Sequence, residues 1–276
     1  MKKGIVSFID ILGFKELIKN HPNDSDFFLR IFKGIQDCYH DYKFSMEYMD
    51  ESFDVVHTLQ SFSDSIVSTV TTKKSVETQL REFLSMFEIE VQHLAFVQYQ
   101  MFVDYGILIR GAVSLGSIYH ENNIIFGEGM VNAYEMESEL ALYPRVIIDP
   151  EIIKLIEKYA NKVGRFQDEI DNFQDTMFIP SEMYKQIRKD KDGLYFIDFL
   201  NLQDVEGYWY VPLEPDIPEI FLCYKIMLNK KLNEIQSKSE KIKVKYNWLK
   251  QYYNSMVSLN CNCFPNKDTT SALIED

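Results

Sequence analysis

Apolar residues along the chain switch between a period of two and a period near 3.6, and the switches mark the elements. Residues 4–11, Gly4-Ile5-Val6-Ser7-Phe8-Ile9-Asp10-Ile11, form a short run rich in Ile, Val and Phe, which predicts a strand ending at an aspartate. Beyond Asp24 and Ser25, either of which can cap, Phe27, Phe28, Ile31, Phe32 and Ile35 recur at helical spacing. Residues 53–60 and 65–71 are β-rich and flank Ser61-Phe62-Ser63-Asp64-Ser65, the pattern of a hairpin. A long helix is expected from about Ser75 to about Tyr105, with Leu80, Phe83, Leu84, Phe87 and Val91 on one face. Residues 107–119 return to strand, interrupted by Gly111 and Gly116. Glu121-Asn122-Asn123 signals a turn, and Ile124–Phe126 a short strand. Gly127 opens a helix to about Leu142, Pro144 ends it, Arg145–Ile148 is another strand, and Asp149-Pro150 caps the next helix.

The second half is less regular. Residues 151–193 mix helix and loop, 194–202 read as a strand, Glu206–Pro218 as a loop, and about 218–257 as one long helix, with a polar tail after Asn260. The order of strands and helices predicts an α+β or α/β sheet covered by helices. The expected division is a core over residues 1–150 and a C-terminal part over 151–276, which completes the sheet with the strand at about 194–202 and ends in the long helix. Between residues 225 and 250 that helix carries eight Lys against two Glu, which reads as a solvated face.

Composition narrows the function. Of 276 residues, 46% are hydrophobic and 26% charged, which excludes global disorder. With 29 Lys+Arg against 42 Asp+Glu, the net charge of −13 argues against nucleic acid or an anionic membrane as partner. It leaves open a small polyanion held through a metal. No apolar run approaches the ~20 residues of a membrane span. The apolar N-terminus stops at Asp10 with no small-residue cleavage site, so a cytoplasmic protein is expected. The four Cys show neither a disulfide framework nor zinc spacing.

Two aspartates carry the chemistry. A carboxylate ending a buried strand needs a partner or a metal, although Asp10 could equally cap the helix that follows. Asp64 lies in a turn, where Asp is common anyway. If the hairpin lies beside the first strand, both reach one sheet edge, and paired hard oxygen donors suit Mg²⁺ or Mn²⁺ holding a triphosphate. Other candidates are weaker. The glycines from Gly111 to Gly129 lack the G-K-[ST] of a P-loop, and His57, His93 and His120 lack metal-ligand spacing. Trp209 with Tyr208 and Tyr210 fits packing better than base stacking.

Phe8-Ile9-Asp10-Ile11-Leu12-Gly13-Phe14 resembles the F-x-D-I-x-G-F first metal motif of class III nucleotidyl cyclases, the adenylate/guanylate cyclase superfamily. Ser63-Asp64-Ser65 is similar to the second metal motif, where Gly-Asp usually sits in a hairpin. Arg110–Gly116 resembles the R-x-G-I-x-x-G strand, and Gly127–Ala133 the G-x-x-V-N-x-A start of the interface helix. The likeness spans about residues 4–150. It implies a ferredoxin-like, palm-type sheet covered by helices, here with a helical C-terminal extension. It also implies two Mg²⁺ or Mn²⁺ ions on Asp10 and Asp64, a nucleoside triphosphate substrate, and closure of a 3′,5′-cyclic mononucleotide with loss of pyrophosphate. Sites shared across a homodimer, with Asn132 on the interface helix and Phe14 beside the nucleotide, belong to the same implication.

The departures are informative. The base-reading Lys of adenylate cyclases is replaced by Gln60, and the second base reader by Ile125. An amide and an aliphatic in place of two polar readers point toward the antiphage pyrimidine cyclases, the Pycsar-type relatives. The transition-state Arg expected four residues after Asn132 is Met136, or Glu135 with a one-residue gap, neither able to stabilise a phosphorane. Arg145 and Arg110 are the nearest substitutes. The alternative is a cyclase-fold dimer that binds nucleotide without turnover.

Overall fold

The computed structural model describes residues 1–48, 55–72, 80–158, 186–201, 217–264 and 268–275. The expected helix start at Ser75, most of the 206–218 loop, the Tyr208–Tyr210 cluster and much of 151–193 lie outside the described residues. The fold is α+β. Strands β1 (Lys2–Ile11), β2 (Val55–Phe62), β3 (Ser65–Thr72), β4 (Ile109–Glu121), β5 (Ile124–Phe126), β6 (Val146–Ile148), β7 (Ile187–Lys189) and β8 (Tyr195–Ile197) form one sheet. Its order is β2-β3-β1-β4-β6-β8-β7, with β5 paired to β4. Among the described strand pairs only β4–β6 is parallel. The strand expected over 194–202 is confined to β8, which pairs with β6 and carries the sheet into the C-terminal part.

β1 is central because its residues are apolar on both faces: Gly4 to Ile9 are all buried. Ile5, Ile9 and Ile11 point to the face covered by α2 (Ser25–Tyr48) and α3 (Leu80–Tyr105), the main core. Val6 and Phe8 point to the other face, where they meet Val67, Ile118 and Ala133 of α4 (Glu128–Glu135). Close approach of α4 to β4 requires glycine. A Cβ on Gly116 would stand 2.5 Å from the Gly129 nitrogen, and Ser114 Oγ donates to the Gly129 carbonyl at 2.6 Å.

Two helices differ from expectation. α4 does not run on to Leu142; it gives way to a π-helical turn over Met136–Leu140. The long C-terminal helix is two, α6 (Ile217–Glu234) and α7 (Glu240–Leu259), numbered after α1 (Phe14–Asn20) and α5 (residues 150–158). The break falls on polar Gln236-Ser237-Lys238-Ser239, where serine favours an extended N-cap over helix interior; Ser239 has φ −62° and ψ 152°. α6 packs on α3 through Tyr224 against Phe102, ring centroids 4.5 Å apart. α7 is tied to the sheet by Tyr252, which donates to Asp198 at 2.6 Å.

Candidate functional site

Register brings the two aspartates together. Asp10 lies opposite Ser65 on β3 and opposite Arg110 on β4, so the hairpin turn holding Asp64 abuts the end of β1. The Ile11 N–H donates to the Asp64 carbonyl at 3.0 Å, fixing the turn against the strand. Ser63, where the resemblance has glycine, takes a left-handed φ of 53°. Asp10 is pushed up to about 6, first by burial, then by Glu137, with Asp64 adding to the repulsion and Arg110 opposing it.

Arg110 and Glu137 complete this edge. Arg110 Nε stands 2.7 Å from Glu137 Oε1 and 3.4 Å from Asp10 Oδ2, and its Nη1 donates to the Ala141 carbonyl at 3.3 Å. Glu137 is buried within the π-helical turn, the kind of local rewinding that re-aims side chains at functional sites. Burial raises its carboxyl, while Arg110 holds it down. Lys245 of α7 belongs to the same electrostatic group: it is half-buried, burial and then Arg110 lower its pKa, and Asp10 and Glu137 partly restore it. The Lys-rich stretch is therefore not wholly a solvated face.

These residues fit a divalent cation. Like charges that lift the Asp10 proton affinity equally favour a bound cation in its place. Among the described residues no three His, Cys, Asp or Glu side chains form a metal-binding group. Asp10 and Asp64 would thus supply two carboxylates, leaving the remaining positions to phosphate oxygens and water, a common Mg²⁺ arrangement.

Other expected residues are dispersed. Gln60 and Ile125 share the α4 face: Gln60 pairs with Val67, and Ile125 packs on the cluster containing Val67. Gln60 is already oriented by the protein. Its amide donates to the Asn123 carbonyl at 3.3 Å, and its Oε1 lies 3.2 Å from His120 Nε2; His120 Nδ1 lies 2.8 Å from Thr69 Oγ1. Asn132 is half-exposed on α4. Phe14 lies in the main core, edge-on to Phe28 at 5.6 Å. The Arg145 side chain is fully buried, paired with Asp190 and Asp192. Tyr143, Phe196 and Trp248 surround its guanidinium at 5.2–5.5 Å. Its carbonyl accepts from Gly111, but its charge is committed away from Asp10. Glu137 and Lys245 were absent from the sequence-derived site; nothing in local spacing marks either, because the π-helical turn and the packing of α7 place them.

No protein-family model matches the chain, and no curated protein does. Among solved structures it is similar to the guanylate cyclase domain of RhGC from Catenaria anguillulae in complex with GTP: 14% identity, 56% of this chain, 82% of that one, TM-score 0.36. A monomeric guanylyl cyclase domain of the RhoGC fusion protein from Blastocladiella emersonii gives 13%, 71%, 94% and 0.39. A bacterial light-regulated adenylyl cyclase gives 13%, 56%, 45% and 0.32. All three are nucleotidyl cyclase proteins, matched at low identity and over part of the chain.

Proposed function

We propose that the protein is a metal-dependent nucleotidyl cyclase, acting as a homodimer on a pyrimidine nucleoside triphosphate. The observation that carries this reading is the convergence of Asp10 and Asp64 at one sheet edge, with a half-buried Asp10 carboxylate whose proton affinity is raised by burial and then by Glu137 and Asp64. Asp10 and Asp64 would hold Mg²⁺ or Mn²⁺, two ions in the resemblance, which when bound neutralise triphosphate charge and acidify the ribose 3′-hydroxyl. The 3′-oxygen bonds to the α-phosphorus, the bond from that phosphorus to the bridging oxygen breaks, pyrophosphate leaves with the electron pair, and the hydroxyl proton passes to solvent. Arg110 holds Asp10 and Glu137 in place. Gln60 presents an amide already aimed by His120 and Asn123, next to the apolar Ile125. One polar reader beside an apolar wall suits a small ring read at one edge better than a purine read at two.

Ile124, Phe126, Val131 and Tyr134 are large apolar side chains, each more than half exposed, within eleven residues of β5 and α4. Such a patch supports a two-fold interface on this face. Asn132, between Val131 and Ala133, would then bring an amide to the sugar–phosphate bound by the partner. Commitment of Arg145 to Asp190 and Asp192 favours the second reading, a dimer that binds nucleotide without turnover.

Complementation tests the shared site. Asp10→Ala and Asn132→Ala are each expected to be inactive alone. Mixed after dissociation and reassociation, they should recover roughly a quarter of wild-type activity, because half the dimers are mixed and each has one intact site. No recovery, with mixed dimers confirmed by native mass spectrometry, would exclude a site built from two chains.

A further inference from the structure

We propose that Thr69 and His120 are positioning residues that lock the Gln60 amide in one orientation, so that the site tells a base with an amino edge from a base with a keto edge. The inference rests on the cyclase reading, with Gln60 as its base reader, and adds how that reader is given a direction.

Each hydrogen bond of the group has a forced sense. The Asn123 carbonyl can only accept, so the Gln60 atom 3.3 Å from it must be the amide nitrogen, Nε2. Gln60 Oε1, which also only accepts, then faces His120 Nε2 at 3.2 Å, and that nitrogen must carry a proton. Burial lowers the His120 pKa, which keeps the ring neutral at pH 7 and leaves Nδ1 an acceptor. Thr69 Oγ1, 2.8 Å away, therefore donates to Nδ1. The relay runs one way, from Thr69 to His120 to Gln60 to Asn123. Turning the amide over would set carbonyl against carbonyl at one end and N–H against N–H at the other.

The relay joins strands that do not pair. β3 and β1 separate β2 from β4 in the sheet, so Gln60 meets His120 and Asn123 outside the ladder. The Asn123 carbonyl is set by the turn between β4 and β5, where Asn122 and Asn123 take left-handed φ of 52° and 64°, as a type I′ hairpin requires. Thr69 and His120 are buried, which strengthens a continuous chain of hydrogen bonds. His120 is also the cross-strand partner of Ile125, so one histidine connects both proposed base-reading positions. Gln60 itself is partly exposed. It keeps one lone pair on Oε1 and one N–H on Nε2 for a ligand. Cytosine and adenine present a donor and then an acceptor along the amino edge, and uracil and guanine present the reverse order along the keto edge. An amide free to turn would pair with either, whereas a locked one pairs with only one.

The test compares wild type with Thr69→Val, Thr69→Ser, His120→Phe and, as a control, Thr71→Val. The control removes a hydroxyl two residues along β3, which donates to the Val56 carbonyl. Calorimetry with Mn²⁺ measures CTP against UTP and ATP against GTP, and turnover gives the matching kcat/KM ratios. NMR of ¹⁵N-labelled histidine reads the His120 tautomer. For the pair that binds more tightly, wild type should favour one edge by about tenfold or more, with the His120 proton on Nε2. Thr69→Val and His120→Phe should bring that ratio to within about threefold of unity. Thr69→Ser should restore it, and Thr71→Val should keep it. Thr69→Val is nearly isosteric and serves if His120→Phe misfolds. A proton on Nδ1, a wild-type ratio near unity, or a ratio unchanged in Thr69→Val with only the thermal midpoint lowered overturns the relay and leaves the cyclase reading standing. A wild type that binds no nucleoside triphosphate with metal overturns both.

Discussion

Asp10→Asn is expected to lower turnover by about a thousandfold or more, because it removes a charged oxygen donor where phosphate charge must be neutralised. The same substitution should make the metal-free protein more stable. Asp10 is raised from 3.8 to about 6 in the fold, so its ionised form opposes folding. That opposition is absent below the unfolded value, grows between about pH 4 and pH 6, and is complete above. Asp10→Asn should therefore gain on the order of 1 kcal/mol at pH 7.5, allowing for screening at the open side of the site, and nothing at pH 3.5. Urea unfolding of both proteins in chelator at the two pH values checks this. A destabilised variant at pH 7.5 would mean that the Arg110 contact outweighs the crowding.

Arg145→Ala should cost about 3–5 kcal/mol of stability, the usual penalty for removing one member of a buried charge cluster. The guanidinium has no exposed surface, and its loss leaves Asp190 and Asp192 facing each other beside Trp248. Chemical denaturation gives the magnitude. At a temperature where the variant is folded, turnover per folded molecule should remain within about threefold of wild type, since the charge faces away from Asp10. A thousandfold loss in a stably folded variant would return Arg145 to the reaction itself.

Strands were the most legible part of the chain. The β1 run, the hairpin and the glycine-interrupted β4 are set by local pattern, and each appears within about two residues of its expected position. Helix interruptions were not legible. Residues 128–140 keep one apolar rhythm through the π-helical turn, and the split at 235–239 competes with strong helix formers on both sides. Glu90 shows another limit. It lies between Phe87 and Val91 on α3, where a glutamate is expected in water, yet it is wholly buried and its carboxyl is pushed up to about 7. In the site, Asp10, Asp64 and Arg110 are near one another because strand register makes them so, and register follows from alternation. Glu137 and Lys245 depend on how α4 rewinds and where α7 docks, both long-range outcomes that no short window of sequence encodes.

The cyclase reading is tested most directly by incubating the purified protein with an equimolar mixture of ATP, GTP, CTP and UTP and Mn²⁺, and identifying products by mass spectrometry. The account predicts a 3′,5′-cyclic pyrimidine mononucleotide with an equal amount of pyrophosphate, and no product from Asp10→Asn. A predominantly cyclic purine product would overturn the base assignment to Gln60 and Ile125. Absence of any cyclic product from wild type, with nucleotide shown to bind, would contradict the enzyme and establish the binding dimer.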